Sequence, residues 1–316
     1  METYAADIKI KTAEQNKLLL KRILKNYEAY LFLIPTLIFF TVFSYGPLYG
    51  VQIAFRNFNG ALGIWGSRWV GLRHFANFFD SYYFWTLIRN TVTLSLYSLA
   101  AGFPMPIIFA LMLNEVKNIK YKRFVQTVTY APHFISMVVI VGIITIILSP
   151  SSGIVNHVIK SMGFEPIYFI AKPSMFRHIY VWSGIWQNVG WGSIIYLAAL
   201  ASVDMEQHEA AVIDGASRLQ RIRHINIPAI LPTMVILLIL QGGTIMSVGF
   251  EKVLLMQNDL NMPTSDVIST YVYRRGLINA DFSFATAVGL FNSIINFMFL
   301  LIFNYVSRKV NETSLF

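Results

Sequence analysis

The chain contains no cysteine, which excludes structural disulfides and thiolate metal sites. It is also poor in charge. Only 13% of its 316 residues are charged, against about 25% in soluble domains. With 55% hydrophobic residues, that deficit points to the bilayer as solvent. No G-x-x-x-x-G-K-[ST] occurs, and the dipeptide GK is absent altogether, so no phosphate-cradling loop is available. Six histidines are present without an H-E-x-x-H. His208 precedes Glu209, but no second His follows at helical spacing, and no metal site is expected. A G-x-S-x-G elbow is missing too, and no catalytic residue is expected. Inside the long apolar runs the one His, Lys, Arg, Asp or Glu is His133. That argues against ion coupling, and a lone His there reads as a packing or hinge residue.

What is present is a set of apolar runs long enough to span, given that a spanning helix needs roughly 20 residues. Six are expected, near 30–50, 90–113, 124–148, 179–203, 228–250 and 284–306. The first follows a polar leader without a small-residue cleavage site and reads as an uncleaved span. The fold class is therefore all-α integral membrane with six transmembrane helices. The formal net charge of +9 reads as cationic flanks facing anionic lipid, with no nucleic-acid partner expected.

The flanks differ in basicity. The segments 1–29, 114–123, 204–227 and 307–316 carry 15 Lys/Arg in 73 residues; 51–89, 149–178 and 251–283 carry 10 in 102. The positive-inside rule puts the first set in the cytoplasm, with both termini. The expected layout is a leader over 1–29, a transmembrane domain over 30–306 and a tail over 307–316. In the leader, Leu19, Leu20, Ile23, Leu24 and Tyr27 share a face flanked by Lys17, Lys21, Arg22 and Lys25. That pattern suits a helix lying in the membrane interface.

One cytoplasmic segment, 204–228, stands out between the fourth and fifth runs: "DMEQHEAAVIDGASRLQRIRHINIP". Ser202 and Asp204 are N-cap candidates. Gly215 ends or bends the first helix, and Arg218 to Asn226 reads as a second short helix before Pro228 starts the next span. The result is a helix–turn–helix projecting from the bilayer. A solvated connector would have the same outline.

Here the sequence resembles a family. Glu209-Ala210-Ala211, Asp214-Gly215-Ala216, Ile225, Ile227-Pro228 and Pro232 match the EAA motif of permease subunits in binding-protein-dependent (type I) ABC importers. "WVGLRHFANFFDSYYFWTLIRNT", "YAPHFISMVV" and "DVISTYVYRRGLINADFSFATAVGL" resemble the carbohydrate members. The leader and first span resemble the polysaccharide-type subfamily. Where the family often has Gly-Gly-Pro before the last segment, this chain reads "NDLNMPTSD".

The resemblance implies a permease that is not itself an enzyme. It implies a coupling helix made by Glu209, Ala210, Ala211, Asp214, Gly215, Ala216 and Arg218. Implied partners are a second homologous permease, two cytoplasmic ATPase subunits holding ATP and Mg, and an extracellular solute-binding protein delivering an oligosaccharide. This chain itself would hold no cofactor. Localisation would be the cell (plasma or inner) membrane. Another small-solute permease, or an ATP-independent carrier, are the alternatives.

Sugars are held by aromatic faces and by amides or hydroxyls, and such polar groups inside a span must face the bundle. Gln187, Asn188 and Trp191 share a face of the fourth run, and Gln241 and Thr244 share one on the fifth. Interhelical hydrogen bonding would use the same residue types. Family position, counted from Glu209, implies sugar contacts near Gly184, Asn188, Trp191, Gln241, Thr244, Ile245 and Val248, of which Gly184, Ile245 and Val248 are apolar here. Arg274 and Arg275 would suit uronates, and equally a solvated loop.

Overall fold

The computed structural model describes residues 25–311, in two units that divide after Val70. Most of the leader and the end of the tail lie outside the described residues.

In the first unit a 29-residue helical run, Tyr27–Phe55, is long and apolar enough to span. It begins as an α-helix and passes through a π turn at Phe40–Tyr45. It tightens to 3-10 geometry over Gly46–Phe55, where Pro47 removes a backbone donor. None of Tyr27–Phe39 is buried within the unit. A helix apolar on all sides belongs against lipid or another chain. Arg56–Asn59 then pairs antiparallel with Ser67–Trp69, Arg56 opposite Trp69. The Arg56 guanidinium donates to the Ser67 carbonyl at 2.9 Å, and Phe55 stacks on Trp69 at 5.6 Å.

In the second unit, Phe84–Asn114 forms the second spanning helix, Arg218–Gly242 the fifth and Phe282–Lys309 the sixth. The fourth helix, Pro173–Ala201, is 29 residues long, though it is not among the helices that length and apolar content alone qualify as spans. It stands at the centre of the packing, because small residues let its neighbours approach. A Cβ on Gly190 would collide with the backbone of Thr129, and one on Gly192 would crowd Pro106. Its outer surfaces feed two of three apolar clusters. Phe176 and Val181 pack with Leu94, Val141 and Val253; Tyr196 and Leu200 pack with Ile107, Leu111 and Ile230.

The structure corrects three expectations. The third run is not one rod over 124–148. It comprises Ile119–Phe134 and Met137–Ile147, bent by 103°. Pro132 removes a backbone donor, and Ile135 and Ser136 are extended. The fifth run does not reach residue 250 as a helix. It stops at Gly242, where the Phe303 and Leu300 side chains occupy the space that Cβ atoms on Gly242 and Gly243 would need. A separate helix, Phe250–Met256, follows. Nor does the fifth span start at Pro228. Arg218–Gly242 is continuous, because a π turn over Ile222–Asn226 carries the chain past the proline.

At one end of the bundle, polar side chains tie remote segments together. Asn90 donates to the carbonyls of Pro263 and Asp266, each at 3.0 Å, and accepts from Arg177 at 2.9 Å. Asn261, fully buried, donates to the Ile170 and Met256 carbonyls at 2.9 Å and accepts from Ser265 at 2.7 Å. Arg274 pairs with Asp266 at 2.6 Å and Arg275 with Asp281 at 2.9 Å. The two arginines that suited uronates therefore already hold carboxylates of their own chain.

Candidate functional site

Two places in the second unit concentrate the candidate residues. One is the loop between the fourth and fifth spans. Met205–Ile213 is a helix whose N-cap is Asp204, accepting from the Glu206 N–H at 3.0 Å. Ser202, the other cap candidate, instead ends the fourth helix and donates to the Ala199 carbonyl. The stop is a Schellman motif. Gly215 has φ +79°. The Ala216 N–H reaches back to the Ala211 carbonyl at 2.8 Å and the Gly215 N–H to Val212 at 3.0 Å. Ser217 then starts the next helix with a capping box: its hydroxyl accepts from the Gln220 N–H, and the Gln220 amide oxygen accepts from its own N–H.

Glu209, Ala210, Asp214, Gly215 and Arg218 are exposed, and Ala211 and Ala216 are half-buried. The tip carries bare apolar side chains, with Ile213 86% and Leu219 74% exposed. A shallow hollow there is lined by Met205, His208, Glu209, Val212, Ile213 and Arg221. Exposed apolar side chains on a capped helix and at the very start of the fifth span are the chemistry of a protein–protein contact.

The other place is a cavity of about 510 Å³ against the fourth helix, a size suited to a small ligand. Tyr180, Gly184, Gln187 and Asn188 line it from that helix, Gln241 from the fifth span and Lys252 from Phe250–Met256. A smaller adjoining hollow of about 190 Å³ includes Gln241, Thr244, Ile245 and Val248. Asn188 and Gln241 are exposed to this space. Gln187 is buried, with its Nε2 3.5 Å from the Ile135 carbonyl and its Oε1 without a partner.

Trp191 lines neither space. Its ring stacks on His133 at 4.5 Å with planes 3° apart, and Phe134 meets it edge-on. Asn188 donates to the Gly184 carbonyl at 3.0 Å, so its Oδ1 faces His133 Nδ1, also at 3.0 Å. That geometry makes Nδ1 the donor. The imidazole thus braces both residues. From sequence alone His133 reads only as a packing or hinge residue; its adjacency to Asn188 follows from the close packing of Ile119–Phe134 on the fourth helix at Gly190. Just past the end of the fifth span, Asn296 of the sixth span accepts from the Met246 N–H at 2.8 Å and donates to the Ser247 hydroxyl at 2.9 Å, so both side chains serve packing.

Nothing in the sequence singles out Lys252. It sits just beyond the fifth apolar run, where a cation reads as an ordinary flank. No group of His, Asp or Glu among the described residues is arranged to hold a metal ion.

Family profile, sequence relatives and solved structures agree on what this chain is similar to. The sequence profile of the family described as binding-protein-dependent transport system inner membrane component matches residues 102–312. Protein LplB of Bacillus subtilis (strain 168) is 44% identical over 91% of this chain and 90% of its own length. The polygalacturonan/rhamnogalacturonan transport system permease protein YteP of the same organism is 40% identical, covering 99% and 97%. Among solved structures, a chain of a bacterial ABC transporter involved in the import of the acidic polysaccharide alginate superposes with a TM-score of 0.86. It is 43% identical over 93% of this chain and 99% of the other. A bacterial alginate ABC transporter in complex with an alginate pentasaccharide-bound periplasmic protein matches equally well, at 42% identity and a TM-score of 0.86.

Proposed function

The chain belongs to the family of binding-protein-dependent transport system inner membrane components, and from that premise we propose how it works. It is a permease subunit of an ABC importer. Its cargo is an oligosaccharide handed over by an extracellular binding protein. A second, homologous permease completes the pathway. Two cytoplasmic ATPase subunits bind ATP and Mg and drive it, and both termini face the cytoplasm.

The observation that carries the reading is the exposed loop over 204–228. Its helix is stopped by Gly215 and restarted by Ser217, so Ile213 and Leu219 are held out rigidly with Glu209 alongside. ATP-driven closure of the ATPases would move such a lever against the fourth and fifth spans, to which it is joined at both ends. The cavity between those spans then changes access. Oligosaccharide cargo is supported by the relatives named for polygalacturonan/rhamnogalacturonan and alginate transport. It is also supported by the amides and aromatic ring that line the cavity.

The test is reconstitution in vesicles with the partner permease, the ATPase and the binding protein. Oligosaccharide uptake should require ATP, the binding protein and both permeases. Uptake by this chain alone would replace the importer with an ATP-independent carrier. Cysteine placed at Ser217 should resist an impermeant thiol reagent in intact cells lacking the ATPase; ready labelling would reverse the orientation.

A further inference from the structure

Lys252 is the cation whose position is hardest to explain by packing. It follows the break in the fifth span, on the short helix Phe250–Met256. Only 4% of its surface is exposed, yet it lines the 510 Å³ cavity beside Asn188 and Gln241. Its Nζ donates to the Tyr180 carbonyl at 2.9 Å and lies 4.9 Å from the centre of the Tyr180 ring. The fourth helix makes room for it with Gly184, where a Cβ would come within 3.3 Å of the ammonium.

No carboxylate among the described residues answers this charge. Asp266 and Asp281 are held by Arg274 and Arg275. Glu251 borders the same cavity but is exposed and makes no ion pair with Lys252. An ammonium has three donors, and the Tyr180 carbonyl takes one. A buried charge left without a counter-ion is costly, and a carboxylate brought to it is correspondingly favoured. The amides of Asn188 and Gln241 alongside suit sugar hydroxyls.

We propose that Lys252 recognises a carboxylate of the cargo in this cavity, and that the oligosaccharide is built of uronic acids. The proposal rests on reading the cavity as the sugar path. Asn188 and Gln241 bond the hydroxyls, while Lys252 distinguishes an acidic unit from a neutral one of the same size.

The assembled importer in vesicles, with ATP inside and binding protein outside, tests this with trigalacturonide and its methyl ester. The ester has the same backbone without the charge. Both probes are measured in the wild type, Lys252→Gln and Lys252→Arg, with insertion checked by yield. The binding protein is common to all, so differences between variants belong to the permease.

Lys252→Gln should raise the half-saturating concentration of the acid about ten-fold or more and leave that of the ester nearly unchanged. Lys252→Arg should keep the preference for the acid. Equal losses for acid and ester would mean that Lys252 only braces Tyr180, and unchanged uptake of both would mean that it does neither; each overturns the proposal and leaves the permease reading intact. A wild-type importer that carries neutral oligosaccharides but neither probe overturns it in the same way. One that carries no oligosaccharide at all overturns both.

Discussion

The two ends of the second unit are built on opposite principles. The loop over 204–228 is held by bonds between residues no more than five apart: Asp204 to Glu206, Ala216 to Ala211, Ser217 to Gln220. The polar network at the other end joins residues far apart in sequence, Asn90 to Asp266, Arg177 to Asn90 and Asn261 to Ile170. The loop is exposed, and the network is mostly buried. A local device keeps its shape when whatever it touches leaves, which suits a lever that docks and undocks. A long-range device holds its shape only while the bundle is intact, which suits the wall of a cavity whose helices must stay in register.

That contrast is most sharply tested by Asn261→Leu. The substitution removes the donor to two buried carbonyls and the acceptor for Ser265. At roughly 1–3 kcal/mol for each group stranded, it should cost more thermal stability than any single substitution in the loop or the cavity. Melting in detergent checks this; a wild-type melting temperature would show that the network does not brace the bundle.

Changes in the loop should do the reverse, leaving the melting temperature near wild type and striking uptake. Gly215→Val forces a β-branched residue to a φ of +79°. The local cost is about 1–2 kcal/mol, and the turn of the lever is lost. Glu209→Lys inverts the charge on the proposed docking face. Both should insert normally, fail to co-purify with the ATPase and abolish ATP-driven uptake. Normal uptake in both would remove the loop from the coupling mechanism.

Cavity variants should fall between these extremes. Asn188→Ala and Gln241→Ala each delete an amide facing the space. Each should weaken uptake of limiting sugar about ten-fold, from the 1–3 kcal/mol of an unmade bond, without changing ATPase contact. Trp191→Ala should differ from them: its ring is already stacked on His133, so its removal should lower yield more than it alters sugar preference. A changed preference with unchanged yield would return Trp191 to the sugar path.

The smallest effect is expected for Ser217→Ala. It removes one side-chain acceptor of the capping box while the Gln220 half survives, and caps are worth about 1 kcal/mol. Uptake should fall by less than half while the melting temperature stays put. A loss as large as that of Gly215→Val would mean that the cap, and not the glycine turn, sets the lever.

The loop was legible because its signals are local. Asp204 as a cap and Gly215 as the stop lie within a few residues of what they bond, whereas Ser202 proved to end the fourth helix and the capping box of Ser217 and Gln220 emerged only from the structure. Composition likewise determined the membrane class, since long apolar runs without charge are costly to leave in water. What tertiary structure alone decided is where the polar residues of the spans meet. Helical spacing put Gln187, Asn188 and Trp191 on one face but was silent on who faces them. The close approach of Ile119–Phe134 to the fourth helix at Gly190 sets His133 against Asn188 and Trp191, and Lys252, past the break after Gly242, lies back against Tyr180. Periodicity reports a helix's own geometry, whereas what each helix packs against depends on side chains remote along the chain. Phe303 and Leu300, on the sixth span and remote along the chain, occupy the room beside Gly242 and Gly243.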